Sequence, residues 1–195
     1  MYAYFEGTIA EKNPAYVVMD CHGIGYILNI SLHTFSKIPD SGKCKLFAHL
    51  TIREDAHMLF GFADEEERTM FRDLISVSGV GAATARMILS SMSPADVQQC
   101  ILTADVNRLK SIKGIGEKSA QRIIVDLKNK MGKETFGTTP VFGLKHNKLK
   151  HEALNALETL GFARNLAEKA IDKTLRDEGE GLSIEDLVKK VLKNF

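Results

Sequence analysis

Hydrophobic positions change their period along this chain, and the change divides it. Over residues 1–62 they alternate or run in short β-branched and aromatic blocks. Tyr16-Val17-Val18-Met19 and Tyr26-Ile27-Leu28-Asn29-Ile30 flank the turn-like Asp20-Cys21-His22-Gly23, the pattern of two strands joined by a tight connection. From Cys44 to Arg53 the alternation is clean. Cys44, Leu46, Ala48, Leu50 and Ile52 fall on one face, and Lys45, Phe47, His49, Thr51 and Arg53 on the other. With Tyr2 to Ala10 and Met58 to Phe62, the region predicts about five strands and a short turn near Ser31–Ile38, which suits a small closed barrel of the OB type. Between the last two strands lies Arg53-Glu54-Asp55-Ala56. Two adjacent acids at a hairpin tip read first as a solvated turn.

From Asp64 the period becomes helical. Asp64 and Glu67 resemble a capping box, and Met70, Phe71, Leu74 and Ile75 form one stripe. A local pattern is then written twice. Val77-Ser78-Gly79-Val80-Gly81 runs into Ala82-Ala83-Thr84-Ala85-Arg86-Met87-Ile88-Leu89, and 35 residues later Ile112-Lys113-Gly114-Ile115-Gly116 runs into Glu117-Lys118-Ser119-Ala120-Gln121-Arg122-Ile123-Ile124. Each copy predicts a Gly-x-Gly turn opening a helix, at roughly 82–92 and 117–131. Ser93-Pro94 starts another helix and Asp105 a short one, and Gly132 ends the set. Glycine lets such a turn adopt positive φ and approach another backbone closely. The amides of the turn and of the first helical turn then face outward at the positive end of the helix dipole, which is a seat for phosphate. A lone Gly-x-Gly is commonly just a turn, and paired hairpins can also serve only for packing. Two copies in register resemble the tandem helix-hairpin-helix motif, which grips nucleic-acid backbone without reading bases.

Residues 133–147 lose periodicity and carry Gly, Thr and Pro, so they read as a flexible linker. Beyond it, Leu149, Ala153, Ala156, Leu157 and Leu160 fit one helical face, and Leu166, Ala170, Ile171 and Thr174 a second. Ser183 and Asp186 cap a third helix carrying Leu187, Val188, Val191 and Leu192. Leu160-Gly161-Phe162 resembles the loop of ubiquitin-associated (UBA) bundles, which bind proteins. The reading is thus a multidomain α+β chain: an OB-like β-barrel (1–63), a central all-α tandem helix-hairpin-helix domain (64–132), a linker (133–147) and a C-terminal three-helix UBA-like bundle (148–195).

Charge sharpens the middle of this picture. The net charge of the 195 residues is only +1, yet between Arg108 and Lys133 eight basic residues face two acids, Glu117 and Asp126. A positive field therefore lies on and after the second hairpin. No apolar run approaches the ~20 residues needed to span a bilayer, and the N-terminus carries no basic-then-apolar leader. Cys21, Cys44 and Cys100 are few and scattered, which fits a reducing compartment. Absence of Trp disfavours single-strand recognition by stacking.

Catalytic chemistry finds no footing. Gly116-Glu117-Lys118-Ser119 misses the phosphate-loop motif because Lys does not follow Gly directly and Ser111 stands where another Gly is needed. Cys21, His22, Cys44, His49 and His57 lack the spacing of a zinc site, and Glu65-Glu66-Glu67 reads as a charged helix start. The chain is expected to be non-catalytic, with no cofactor and no metal.

Arg53-Glu54-Asp55-Ala56 with Leu59-Phe60-Gly61-Phe62, then Glu67-Arg68, and the two hairpins, above all Gly114-Ile115-Gly116-Glu117-Lys118-Ser119-Ala120-Gln121-Arg122, are similar to the RuvA family of bacterial Holliday-junction branch-migration proteins. The resemblance spans nearly the whole chain and is weakest in the linker. It implies a homotetramer, one or two per junction, that holds a four-way DNA junction open without sequence preference during recombination and repair. It implies that Gly79, Val80, Gly81 and Ala82 of the first hairpin and Gly114, Ile115, Gly116, Lys118, Ser119 and Arg122 of the second hold the arms. Glu54 and Asp55 match the family's acidic pin at the crossover, with Arg53 beside it. Residues 148–195 match the domain that docks the RuvB ATPase motor, and the RuvC resolvase is a further partner. Ala83 departs from the pattern, because family members can carry Lys there, so the first hairpin is expected to bind more weakly. Two rival readings are a helix-hairpin-helix DNA glycosylase, disfavoured by the N-terminal strands, and a general DNA-repair scaffold.

Overall fold

A computed structural model describes residues 2–131, 144–178 and 182–193. Strands β1 (Tyr4–Lys12), β2 (Tyr16–Cys21) and β3 (Ile24–Asn29), helix α1 (Leu32–Lys37), and strands β4 (Gly42–Ile52) and β5 (His57–Phe62) come first. The strands close into a barrel in the order β1-β2-β3-β5-β4. Every pairing is antiparallel except β3 with β5, where Leu28 meets Leu59 and Asn29 meets Phe60. The expected short turn near Ser31–Ile38 is α1, started by Ser31, whose Oγ accepts the Thr34 amide at 3.0 Å. Gly7 is required where two strands close in, because a Cβ there would lie 2.2 Å from the Asp20 carbonyl oxygen. Phe5, Ile9, Val17, Met19, Leu28, Leu46 and Ala48 fill the barrel.

Helices α2 (Glu65–Ser76), α3 (Ala82–Ser91), α4 (Pro94–Leu102), α5 (Val106–Lys110) and α6 (Glu117–Met131) follow. Their core also takes in Phe60 and Phe62 from β5. The rings of Phe60 and Phe62 lie 5.0 and 4.9 Å from that of Phe71 on α2. Barrel and helices therefore form one compact unit, which ends at residue 135. This explains where β4 departs from simple alternation. Leu46 and Ala48 point into the barrel, but the middle of the opposite face is partly covered: Phe47 packs on the helical core and the His49 ring lies 5.4 Å from that of Phe71, while Lys45 and Arg53 stay exposed. Ile52, at the end of the expected apolar face, is 65% exposed because the strand has by then run past the barrel.

The start of α2 is a half-formed capping box. Asp64 Oδ1 accepts the Glu67 amide at 2.8 Å, but the Glu67 carboxylate turns away and is buried under α1. It accepts from the Ser31 hydroxyl and from Thr34 Oγ1. Burial pushes this carboxyl above its ordinary range, against the opposing pull of the two hydroxyls. The acid read as part of a charged helix start thus joins α1, which follows β3, to α2.

The second unit begins at residue 136. It holds α7 (Leu144–Thr159), α8 (Arg164–Glu178) and α9 (Ile184–Lys193) around Ala153, Leu154, Leu157, Ala167, Ile171, Leu187 and Val191. The buried faces are rotated slightly from the expected ones: Leu154 and Ala167 are inside, while Leu160 and Leu166 are exposed. Gly161, at φ +96°, follows the end of α7, and the Phe162 amide reaches back to the Leu157 carbonyl at 3.0 Å. Residues 133–143 of the expected linker, and Gly132 as a helix stop, lie outside the described residues. Residues 144–147 already belong to α7.

Candidate nucleic-acid interface

The duplicated pattern folds into duplicated geometry. In the first turn the Val77 amide bonds to Leu74 O and the Val80 amide to Val77 O; in the second, Ile112 bonds to Leu109 O and Ile115 to Ile112 O. The first bond inside each following helix, Ala85 to Gly81 O and Ala120 to Gly116 O, repeats at 2.9 Å. Gly79 and Gly114 hold φ +88° and +90°, a conformation that side-chain-bearing residues rarely adopt. The side chains of Val80 and Ile115 point inward, each 6% exposed, as does Ala82. These three residues therefore anchor the hairpins, and only their backbone can reach a ligand.

Several helix starts in this chain are closed by a side chain: Ser31, Asp64, Ser93 and Asp105 each accept a third-residue amide. Behind the hairpins the arrangement differs. The cap position of α3 is Gly81, with no side-chain hydrogen bond, and α6 follows Gly116 directly. A Cβ built on Gly114 or Gly116 would meet nothing within 4 Å. The first amides of both helices thus lack a side-chain cap and have the dipole behind them; the turn before α6 faces open space, and the turn before α3 lies against two guanidiniums. Such an end is built to receive an anion.

The cations around these seats are distributed unequally. Lys113 and Lys118 are exposed at the second hairpin and make no ion pair among the described residues. Glu117 is engaged by Lys110 at 3.0 Å. Other members of the basic run are diverted: Arg108 pairs with Asp96 at 2.8 Å, and Lys130 with Asp73. Arg122, expected at the second hairpin, leans on the first. Its Nη1 donates to the Ser78 carbonyl at 3.2 Å and lies 4.0 Å from where a Gly79 Cβ would be. Arg53, at the base of the β4–β5 tip, places Nη2 3.9 Å from a Cβ built on Gly81. Sequence spacing ties a side chain to its own helix, so it missed both placements. Glu54 and Asp55 are exposed at the tip, which the Arg53 amide closes onto Ala56 O at 2.8 Å. Acidic tip, Arg53 and first hairpin are therefore neighbours. Ser119 is half-buried.

One cluster suited to a cation was not foreseen. His33, Asp64 and Glu67 bring ligand atoms within 4.8 Å of one another. Lys37 Nζ already sits on Asp64 Oδ2 at 2.6 Å, and the two hydroxyls occupy Glu67. Those donors make the cluster an α1–α2 joint. No helix among the described residues is long and apolar enough to cross a membrane.

Comparison with known proteins gives this geometry a family. Residues 1–61 match the RuvA N-terminal domain, residues 71–129 a SAM-like helix-hairpin-helix tandem, and residues 148–194 the RuvA C-terminal domain. Proteins named Holliday junction branch migration complex subunit RuvA align end to end. The one from Christiangramia forsetii is 50% identical over 195 residues, with all of both chains covered. That of Cytophaga hutchinsonii is 46% identical over 197 residues, covering 99% of each chain, and that of Bacteroides fragilis 46% identical over 202 residues, covering all of both. Barrel, duplicated hairpin and C-terminal bundle match in order and at full length, and the chain belongs to the RuvA family.

Proposed function

We propose that this chain binds four-way DNA junctions through the backbone of their arms and serves a branch-migration complex as its non-catalytic, junction-holding subunit. The observation that carries the reading is the juxtaposition within one closely packed unit. Two amide-lined hairpins with cations at hand stand beside a projecting acid pair, and Arg53 bridges the acidic tip to the first hairpin. Amides and cations attract phosphate at the hairpins, while Glu54 and Asp55 repel it at the tip. Attraction at the arms with repulsion at one point favours DNA whose strands diverge there, which linear duplex does not offer. Nothing in the arrangement reads base edges, so binding is independent of sequence. The full-length relatives, named as subunits of a branch-migration complex, support this over the glycosylase and scaffold readings.

Four copies around a junction would bring four acidic tips to the crossover. Ile27, Leu32 and Met87, exposed on the first unit, are apolar surface that such an assembly would use. The second unit exposes Leu160, Leu166, Ile184 and Leu192, which suits docking of the RuvB ATPase motor; RuvC would act on the same junction.

The test is a gel-shift titration of the full chain against a four-way junction and a linear duplex of the same sequence content, at two salt concentrations with competitor DNA. Junction preference that survives the higher salt is the expected result. Equal affinity for both would overturn the role of the acidic tip, and no binding would overturn the reading.

A further inference from the structure

The two hairpins repeat in backbone but not in charge. Aligned at their offset of 35 residues, Lys113 and Lys118 of the second hairpin correspond to Ser78 and Ala83 of the first. From Val77 to Met92 the first copy carries a single charged residue, Arg86. That guanidinium is engaged elsewhere, donating to Ala15 O at 3.0 Å and Asn29 Oδ1 at 2.9 Å. Taken alone, the first hairpin is a set of amides with no cation of its own.

Two guanidiniums from other elements reach it. Arg122, from α6, bonds to Ser78 O, on the very residue that corresponds to Lys113. Arg53, from the end of β4, comes up against Gly81 on the other side of the turn. They flank the two turn glycines, with Arg122 nearest Gly79 and Arg53 nearest Gly81, and both remain exposed. Arg122 uses one Nη1 hydrogen towards Ser78, which leaves further donors on the guanidinium for a phosphate.

We propose that Arg122 and Arg53 are the phosphate-neutralising residues of the first hairpin, standing in for the two lysines that the second hairpin carries in its own sequence. This rests on the junction-binding reading above. The first seat is then composite: its amides come from the Val77–Ala83 turn, one cation from the second hairpin's helix, and one from the base of the acidic tip. The second seat is self-contained. Loss of Arg122 weakens the first hairpin rather than the one that precedes it in sequence, and a lysine at position 83 makes the first hairpin self-contained as well.

The experiment is a set of junction titrations over a range of salt with the full chain. Ala83→Lys is introduced into three backgrounds: the unmodified chain, Arg53→Gln/Arg122→Gln, and Lys113→Gln/Lys118→Gln. Arg53→Gln/Arg122→Gln lowers junction affinity by about tenfold or more and shallows the salt dependence by roughly one unit of slope for each phosphate no longer neutralised. Ala83→Lys then restores most of the affinity and slope in that background, and gives a clearly smaller gain in the other two. Equal gains in all three backgrounds would show a generic added charge and overturn the assignment. Full affinity in Arg53→Gln/Arg122→Gln would do the same. Arg122→Lys, which keeps charge but not the planar fork, accompanies the set. Thermal unfolding of Arg122→Lys and Arg122→Gln reads loss of the brace on Ser78, and the salt slope of the titrations reads loss of phosphate neutralisation, so the two effects are separated. Absence of junction binding by the unmodified chain is a different result, and it removes the proposed function along with this inference.

Discussion

Arg86 on α3 donates from Nη1 to Asn29 Oδ1 on the last residue of β3, at 2.9 Å, and Asn29 passes the connection on by donating to Leu59 O on β5 at 3.1 Å. The parallel β3–β5 closure of the barrel, which is its shortest pairing, is thus fastened from outside by the helix that follows the first hairpin.

Removing that fastener separates stability from charge at the DNA. Arg86→Met keeps an unbranched apolar stem and deletes the bonds to Asn29 and Ala15. It takes the donor from Asn29 Oδ1 at a half-buried joint, while Ala15 O keeps the Ile30 amide at 3.1 Å, an expected cost of about 1 kcal/mol. Urea unfolding should show a lower midpoint with an unchanged slope, while junction affinity measured well below the transition stays the same. A loss of affinity without a loss of stability would mean that Arg86 contacts DNA.

The glycines of the second hairpin can be told apart. Gly114 has φ +90° in open space, so Gly114→Ala should cost about 1–2 kcal/mol through backbone strain alone. Gly116 has no such φ and equally open surroundings. Gly116→Ala should cost less than about 1 kcal/mol as a change of helix cap, yet weaken junction binding because its methyl stands in the amide seat. Thermal melts beside gel-shift titrations check both. Unchanged binding in Gly116→Ala would mean that phosphate does not approach that backbone.

Neutralising the tip should act on selectivity. Glu54→Gln/Asp55→Asn preserves shape, removes the repulsion, and is expected to tighten linear duplex relative to junction. The ratio of the two affinities is the readout, and it should converge as salt rises, because exposed charges are screened beyond about 8 Å at physiological ionic strength. An unaltered ratio at low salt would leave the tip as a plain turn.

His49 gives the joint between β4 and α2 a pH dependence. Burial, and then the nearby charges of Arg72 and Arg68, hold its imidazole below its ordinary value. The unfolded chain therefore binds the proton more readily than the folded one. Stability contributed by neutral His49 is present above the ordinary imidazole value and is lost as the pH falls through the lower folded value. Tm against pH for the native chain should decline over that window, and His49→Gln should flatten the decline. Parallel curves would assign the acid sensitivity to other groups.

Much of this architecture is legible in the chain because its elements are locally specified. The strands of the barrel announce themselves by alternation and the hairpins by repetition. Helices α2, α4 and α5 announce themselves by Asp64, Ser93 and Asp105, which cap as expected. What sequence could not give is which surfaces meet. Phe47 and His49 look like the outer face of a strand until α2 covers them. Glu67 looks like the acid of a capping box until Ser31 and Thr34, more than 30 residues earlier, take its carboxylate. Arg122 looks like part of the hairpin it follows, because nothing in a linear pattern reports that a long guanidinium side chain reaches across to the other copy. Local rules place backbone; long side chains answer to tertiary neighbours.

The acidic tip is an extension of the same two strands whose outer face supports α2, and α2 leads straight into the first hairpin. A buried cluster of Phe60, Phe62 and Phe71 therefore sets the spacing between the tip proposed to repel phosphate and the hairpin proposed to hold it. Such a core is close-packed and yields little, so on the proposed reading the protein would behave as a jig: the DNA would bend to the tool, and selection would reflect how cheaply each DNA shape deforms. A junction-recognition defect can accordingly begin at a phenylalanine that no nucleotide ever touches.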